Sequence, residues 1–273
     1  MSNAIRWDSA IRRDSNINRI ATIFKFAMLI KRNEHMKKMK VEIWSDVTCT
    51  HCYTSKRKLE TALNQFEDKD KVDIIWKSFE LAPGLITNPE KKLPRFLAEL
   101  QGISLSEATA MTDHVTNMVK DVGLEYDLNI AIPANSFNAH RLLHFAKEHQ
   151  LQNIVEERLF KAYFTEGQNI DDIPTLIRLA LEAGLNANET KDMLESAKYT
   201  DSVIKDISEA REVGIKSIPH FVFNNNIRLS GAQESEVFAE TLKRTFAQWQ
   251  LEDQTPGSDI IEGQSCTIGE DCT

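Results

Sequence analysis

Strand-like runs are confined to two short stretches of this 273-residue chain, and between them lie about 120 residues that read as helix alone. Residues 41–47 form an apolar run of strand length, and residues 72–79 form a second. Between them, residues 53–66 place Leu59, Leu63 and Phe66 at i, i+4 and i+7, the period of an amphipathic helix. A strand, a helix and a strand at this spacing make a βαβ unit with parallel strands. Pro83-Gly84 breaks the pattern. Helical signals then run from about Pro89 to Val213. Ser104-x-x-Glu107 has the spacing of a capping box; Met111, Val115, Met118 and Val122 follow on one face, and Gly123 ends the run. Residues 137–148, 154–164, 174–182 and 189–212 complete the block, with a break near Tyr199 and with Asp171 or Asp172 as cap of the helix starting near Pro174. Strand character returns at residues 218–223 and 227–230 around Asn224-Asn225-Asn226, which reads as a hairpin. A last helix over residues 234–250 carries Phe238, Leu242, Phe246 and Trp249 on one stripe.

The order β-α-β, helical block, β-β-α predicts an α/β chain with a thioredoxin-like fold and a large α-helical insertion between the βαβ and ββα halves. The expected domains are residues 39–85 with 213–250 for the sheet, and 86–212 for the insertion. Two extensions flank them. Residues 1–38 form a basic extension read as disordered or partly helical, and residues 251–273 form an acidic tail holding a cysteine pair. Charge marks both: residues 1–40 carry ten Lys/Arg against three Asp/Glu, a net of +7 in a chain whose net is −8, so the remainder carries −15. After Leu251 there are six acidic residues and no basic one. With no compensating basic face on the body of the chain, a nucleic-acid partner is not expected. No run of 18 apolar residues occurs, so no membrane-spanning helix is expected. A cleavable signal peptide needs an unbroken apolar stretch, and Lys25 interrupts the one at residues 20–30, with Lys31-Arg32 following. The expected location is therefore cytoplasmic, a reducing compartment, and Met36 and Met39 stand as alternative starts.

Four cysteines sit in two pairs, Cys49/Cys52 and Cys266/Cys272, which is not the scatter of a structural disulfide framework. Cys49-Thr50-His51-Cys52 lies between a strand and a helix. Two thiols on the first turn of a helix can close a disulfide with almost no backbone movement, and the one nearer the helix start feels the positive end of the helix dipole. The competing reading, half of a zinc site, needs a second pair of comparable spacing, and Cys266/Cys272 are six apart in a tail. Redox chemistry is the expectation, with no metal. Cys49 is then the exposed, attacking thiol and Cys52 the less exposed, resolving one. Thr50 and His51 between them tune the pair, His51 by hydrogen bonding or positive charge near Cys49. Ile218-Pro219 precedes the third strand. Pro219 can mark a sheet edge, or a cis bond that turns the Ile218 backbone toward a bound chain.

Several blocks in order resemble the FrnE-type branch of the DsbA family. They are Val41-Glu42-Ile43-Trp44-Ser45-Asp46-Val47-x-Cys49-x-x-Cys52-Tyr53, Trp76-Lys77-Ser78-Phe79-Glu80-Leu81, Asn138-Ala139-His140-Arg141-Leu142, Ala162-Tyr163-Phe164-Thr165-Glu166-Gly167, and Gly214-Ile215-x-x-Ile218-Pro219-x-Phe221-Val222 with Gly231-Ala232-Gln233. The resemblance covers residues 40–250. It implies a thioredoxin fold with an α-helical insertion, a Cys49/Cys52 active site, a cis Pro219, and thiol–disulfide oxidoreductase or disulfide isomerase activity. Two departures stand out. Branch members commonly carry Pro-Trp between the cysteines where this chain has Thr50-His51, which leaves the redox potential open. Glutathione-dependent isomerase and transferase relatives generally have Ser where this chain has Cys.

The expected reaction is therefore thiol–disulfide exchange on peptide or protein substrates. It requires no cofactor, and its candidate redox partners are glutathione or a thioredoxin-type reductant. The alternatives are a glutathione-dependent isomerase or transferase of the 2-hydroxychromene-2-carboxylate isomerase or kappa type, and a non-enzymatic thiol redox sensor. His140 and Arg141 are candidates for the wall of a substrate groove, with capping or salt bridging inside the insertion as the plain alternative. Cys266 and Cys272 are a candidate accessory redox pair.

Overall fold

The structure is a computed structural model and describes residues 37–254. The chain enters the sheet through β1 (Met39–Ser45), turns at residues 46–49 and runs into α1 (Thr50–Asn64). A 3₁₀ turn at Lys69–Lys71 leads to β2 (Val72–Ser78). The helical block follows as α2 (Leu93–Gln101), α3 (Leu105–Met118) with a 3₁₀ turn at Val119–Val122, α4 (Phe137–Glu148), α5 (Gln152–Phe164), α6 (Ile173–Glu182), α7 (Ala187–Leu194) and α8 (Thr200–Glu212). The hairpin β3 (His220–Phe223) and β4 (Ile227–Ser230) and the long α9 (Ser235–Gln254) close the fold.

The sheet order is β2-β1-β3-β4. β1 and β2 are parallel with Ile43 opposite Trp76 and Ser45 opposite Ser78; β3 is antiparallel to both β1 and β4. The period-2 alternation of β1 puts Met39, Val41 and Ile43 in a core with Leu59, Phe221, Phe223, Phe238, Leu242 and Phe246, beneath α1 and α9. Trp44 points the other way, into a larger core shared with Leu142, Leu159, Phe160 and Leu176 of the helical block.

The block also covers the outer edge of β2, which would otherwise present unpaired backbone groups. The Gln152 amide accepts from Trp76 N–H at 3.1 Å and donates to Trp76 C=O at 2.9 Å. Asp206 Oδ2 accepts from Ser78 N–H at 3.0 Å, and Trp44 Nε1 donates to the Asp206 carbonyl at 3.0 Å. No helix among the described residues is long and apolar enough to cross a membrane.

The structure adjusts several of the expected boundaries and faces. β1 stops at Ser45 rather than Val47, because Cys49 N–H donates to Asp46 C=O at 2.9 Å and closes a turn. That turn starts α1 at Thr50, three residues before the expected Tyr53. Of the two candidate caps, Asp172 takes Thr175 N–H at 2.9 Å, while Asp171 accepts from the Thr87 hydroxyl. In α3 the Ser104/Glu107 capping box is formed, but the buried face is Ala108 and Thr112, continued by Val119; Met111 and Met118 are exposed. The basic extension up to Met36 and the tail from residue 255, with Cys266 and Cys272, lie outside the described residues.

Candidate active site

Cys49 is the N-cap of α1 and Cys52 lies on its first turn, with Cys52 N–H donating to Cys49 C=O at 3.1 Å. Both are free thiols, three residues apart at the start of α1. Cys52 is 1 % exposed, and Cys49, expected to be exposed, is only 6 % exposed. The cause is a segment of the insertion. Tyr126 donates its hydroxyl to Thr50 C=O at 3.1 Å and packs over the helix start in the core that also holds Cys49, Cys52, Val47 and Ile218. Burial pushes the Cys52 thiol well above the ordinary range, and the neighbouring Cys49 adds to this. The Asp46 backbone N–H and the Ser45 hydroxyl pull the other way, by less.

Thr50 is half-buried, and His51 is exposed on the outer face of α1. His51 lines an open groove of about 470 Å³ with Thr54 and Lys58 on one side, Val115 and Met118 on the other, and Glu234 at the end. This is where the outward side of the α3 stripe goes. The Ile218–Pro219 bond is cis and both residues are buried. Pro219 C=O accepts from Gly231 N–H at 2.8 Å, while among the described residues the Ile218 backbone carries no hydrogen bond.

The floor of the site is polar and comes from two halves of the chain. Asp46, fully buried, accepts from Thr48 N–H at 3.1 Å and from Leu81 N–H at 2.8 Å, and its Oδ1 lies 3.7 Å from His140 Nε2. Burial alone would raise the Asp46 carboxyl; the His140 ring and the two amides outweigh it and hold it below the usual range. Burial likewise works against a charged His140, but Asp46, Glu156 and Glu80 around it raise its pKa above the ordinary imidazole range. Glu156 on α5 accepts from the Ser45 hydroxyl at 3.2 Å and is 1 % exposed. Its burial outweighs His140, Ser45 and Lys56 and pushes it up to about 7.

One position along α5 the chemistry reverses. Glu157 accepts from Tyr53 Oη at 2.6 Å and from Arg57 Nη1 at 2.9 Å and pairs with Lys56 Nζ at 2.9 Å, tying α1 to the insertion. Above this clamp the rings stack, Tyr53 on Phe160 at 4.7 Å and Tyr126 on Phe164 at 4.6 Å between centroids.

The His140-Arg141 pair does not line the groove. His140 turns to Asp46, and Arg141 turns to the C-terminal end of α7, donating to the carbonyls of Met193 at 2.8 Å, Leu194 at 3.3 Å and Lys198 at 2.9 Å, and to that of Ser196. Adjacent helical residues point about 100° apart, so the two cannot share one wall. In the sequence Glu156 and Tyr126 carry no signal as site residues, while Ser45 and Asp46 lie in the run leading to Cys49 without an assigned role. No cluster of three or more His, Cys, Asp or Glu side chains that could hold a metal occurs among the described residues.

The sequence and fold are similar to those of known proteins. The DSBA-like thioredoxin domain family matches residues 40–243. A crystal structure of a probable DsbA oxidoreductase from Streptomyces coelicolor is 32 % identical, with 85 % of this chain and 97 % of that one covered and a TM-score of 0.72. The uncharacterized protein YwbO of Bacillus subtilis is 28 % identical over 204 residues, 74 % of this chain and 94 % of that protein. A 2-hydroxychromene-2-carboxylate isomerase shares the fold at 15 % identity, with 80 % of this chain and all of that one covered and a TM-score of 0.53.

Proposed function

We propose that this chain, which belongs to the DSBA-like thioredoxin domain family, exchanges disulfides with peptide or protein substrates through Cys49 and Cys52. The observation that carries the reading is the pair itself: two free thiols at the start of α1, in one core with Ile218, whose bond to Pro219 is cis. Negative charge on the Cys49 sulfur sits at the positive end of the α1 dipole, where first-turn N–H groups have no intrahelical acceptor. Cys49 therefore attacks a substrate disulfide, forming a mixed disulfide and releasing one substrate thiolate. Cys52, one turn behind, attacks the Cys49 sulfur and releases the second. The enzyme pair is oxidised by two electrons and the substrate disulfide reduced by two; in the oxidised enzyme the same steps run backwards. The Ile218 backbone offers one N–H and one C=O to an extended substrate, as an added strand would use them. His51, exposed at the groove, meets the substrate side of the pair, and Thr50 fixes the turn through its carbonyl bond to Tyr126. Glutathione or a thioredoxin-type protein resets the pair.

The test is reduction of insulin disulfides and refolding of scrambled ribonuclease. Cys49→Ser abolishes both activities. Cys52→Ser keeps the first attack and accumulates a mixed disulfide resolvable by mass spectrometry. Full turnover by both variants overturns the proposal. Glutathione-dependent turnover of a chromene carboxylate by the wild type points to the isomerase chemistry instead, and redox-dependent partner binding without turnover points to a sensor.

A further inference from the structure

Cys49 has to meet a substrate sulfur, yet it is only 6 % exposed. Thiolate attack runs along the S–S bond that breaks, so the groups around the helix start decide which disulfides can line up with Cys49. The start of α1 is open on one side, where Thr50 and His51 line the groove. From the insertion, Tyr126 packs over it, in one core with Cys49. This cover is held firmly. The Tyr126 hydroxyl donates to Thr50 C=O at 3.1 Å. Its ring stacks on Phe164 with centroids 4.6 Å apart and lies nearly parallel to Tyr53 at 5.9 Å. The backbone on both sides of the ring is tied to the end of α5: Glu125 C=O accepts from the Thr165 hydroxyl at 2.6 Å, and Asp127 N–H donates to Phe164 C=O at 2.7 Å. Leu124 and Leu128 are buried on either side.

We infer that Tyr126 is a specificity-determining residue, which closes the insertion side of Cys49 and admits only disulfides with slender flanking groups. The inference rests on the oxidoreductase reading above and narrows its substrate class. A disulfide in an extended peptide, or in a small thiol compound such as oxidised glutathione, lines up with Cys49 from the groove side. A disulfide crowded by branched side chains, or packed inside a folded domain, meets the Tyr126 ring instead. Tyr126 takes no part in the exchange itself, in which Cys49 bonds to one substrate sulfur and the other leaves as a thiolate.

The ring and the hydroxyl have separate tasks. The ring is the cover, and the hydroxyl bond to Thr50 C=O holds it in place. To admit a bulky disulfide the ring has to swing away, and both the Thr50 bond and the stack on Phe164 are then given up. Nothing equivalent is lost when a slender disulfide enters along the groove. The discrimination is therefore set by how well the loop carrying Tyr126 is fastened to the end of α5.

Alkylation of the reduced full chain measures the cover directly. Iodoacetamide and an iodoacetamide with a bulky aromatic group on its nitrogen are compared, mass spectrometry locates the label, and rates are normalised to the urea-unfolded chain. Tyr126→Ala should raise the bulky-to-small rate ratio at Cys49 about tenfold, the scale set by one hydrogen bond and one aromatic pair, while Cys52 stays protected. Tyr126→Phe keeps the ring and should restore most of the wild-type ratio. Thr165→Val loosens the loop without touching the ring and should raise the ratio in the same direction; it carries the test even if Tyr126→Ala folds poorly. Single-turnover attack on two peptide disulfides, with glycine or tert-leucine beside the cysteine, should favour the glycine peptide in the wild type and lose that preference in Tyr126→Ala. A wild-type ratio in both Tyr126→Ala and Thr165→Val, or Tyr126→Phe behaving as Tyr126→Ala does, overturns the inference alone. Absence of a mixed disulfide with either peptide in the wild type overturns it together with the oxidoreductase reading.

Discussion

Glu156 and Glu157 are neighbours on α5, yet their carboxyls are driven in opposite directions, one up to about 7 and the other down to about 2, from the same ordinary 4.5. Each displacement corresponds to about 3 kcal/mol between the two charge states. For Glu157 burial raises the carboxyl, and Arg57, Lys56 and Tyr53 more than reverse it. Its folded pKa lies below the unfolded one, so its stabilisation is complete above about pH 4.5 and is lost as pH falls through about 2. With 31 % of the side chain open to solvent, the usable share is roughly 2 kcal/mol. For Glu156 the sign inverts. Its folded pKa lies above the unfolded one, so its contribution is complete below about pH 4.5 and is lost as pH rises through about 7. Urea denaturation of Glu157→Gln should therefore show a loss of roughly 2 kcal/mol at pH 7. Glu156→Gln, a neutral residue of the same shape, should match the wild type near pH 4.5 and exceed it by about 2–3 kcal/mol at pH 8.5. If both variants shift stability in the same direction at pH 8.5, the assignment of opposite environments to the two carboxyls is wrong.

Three further outcomes test the frame around the site. Gln152→Leu leaves Trp76 N–H and C=O without their side-chain partner and should cost about 2–4 kcal/mol in urea; a loss below about 1 kcal/mol means that the edge of β2 finds other partners. Gly167 has φ +60°, and a Cβ there would lie 2.7 Å from the Ile130 carbonyl oxygen, so Gly167→Ala should lower stability by about 2 kcal/mol in a thermal melt; a wild-type melting temperature refutes the contact. Arg141→Lys cannot reach four carbonyls as the guanidinium does and should cost about 2 kcal/mol while leaving the rate of Cys49 attack unchanged; a selective loss of that attack would return Arg141 to the substrate site.

The elements that sequence located best are those whose burial follows a single period. β1, β2 and the hairpin have short apolar runs between turn residues, and α4 begins and ends at the expected Phe137 and Glu148. α3 is harder because it carries two apolar faces. Periodicity finds Met111, Val115, Met118 and Val122, but only packing decides that Ala108 and Thr112 go inward while the methionines meet solvent. The thiols were legible because two cysteines between a strand and a helix have few other uses; their depth was not, since Tyr126 reaches the Thr50 carbonyl between them from a loop with no periodic signal. In sequence Glu156-Glu157 is two adjacent glutamates inside the helix expected over residues 154–164. The physical fact that separates them, which of two adjacent directions faces a buried hydroxyl and which faces Lys56 and Arg57, exists only once α5 is docked.

That docking makes the insertion part of the site rather than a module beside it. Along α5, Gln152, Glu156 and Phe160 stand at i, i+4 and i+8, so they share one stripe of the helix. The first closes the backbone of β2, the second closes the polar floor beneath Cys52, and the third stacks on Tyr53 behind the thiols. Glu157 and Phe164, seven residues apart, tie the neighbouring stripe to α1 through Arg57 and to the Thr50 carbonyl through Tyr126. A rotation of α5 by one residue would remove the edge partner, the buried carboxyl and the aromatic support together, because the same helix face holds all three. Stability of the sheet and readiness of the thiol pair are thus set by one packing register, and a substitution that disturbs either should disturb the other.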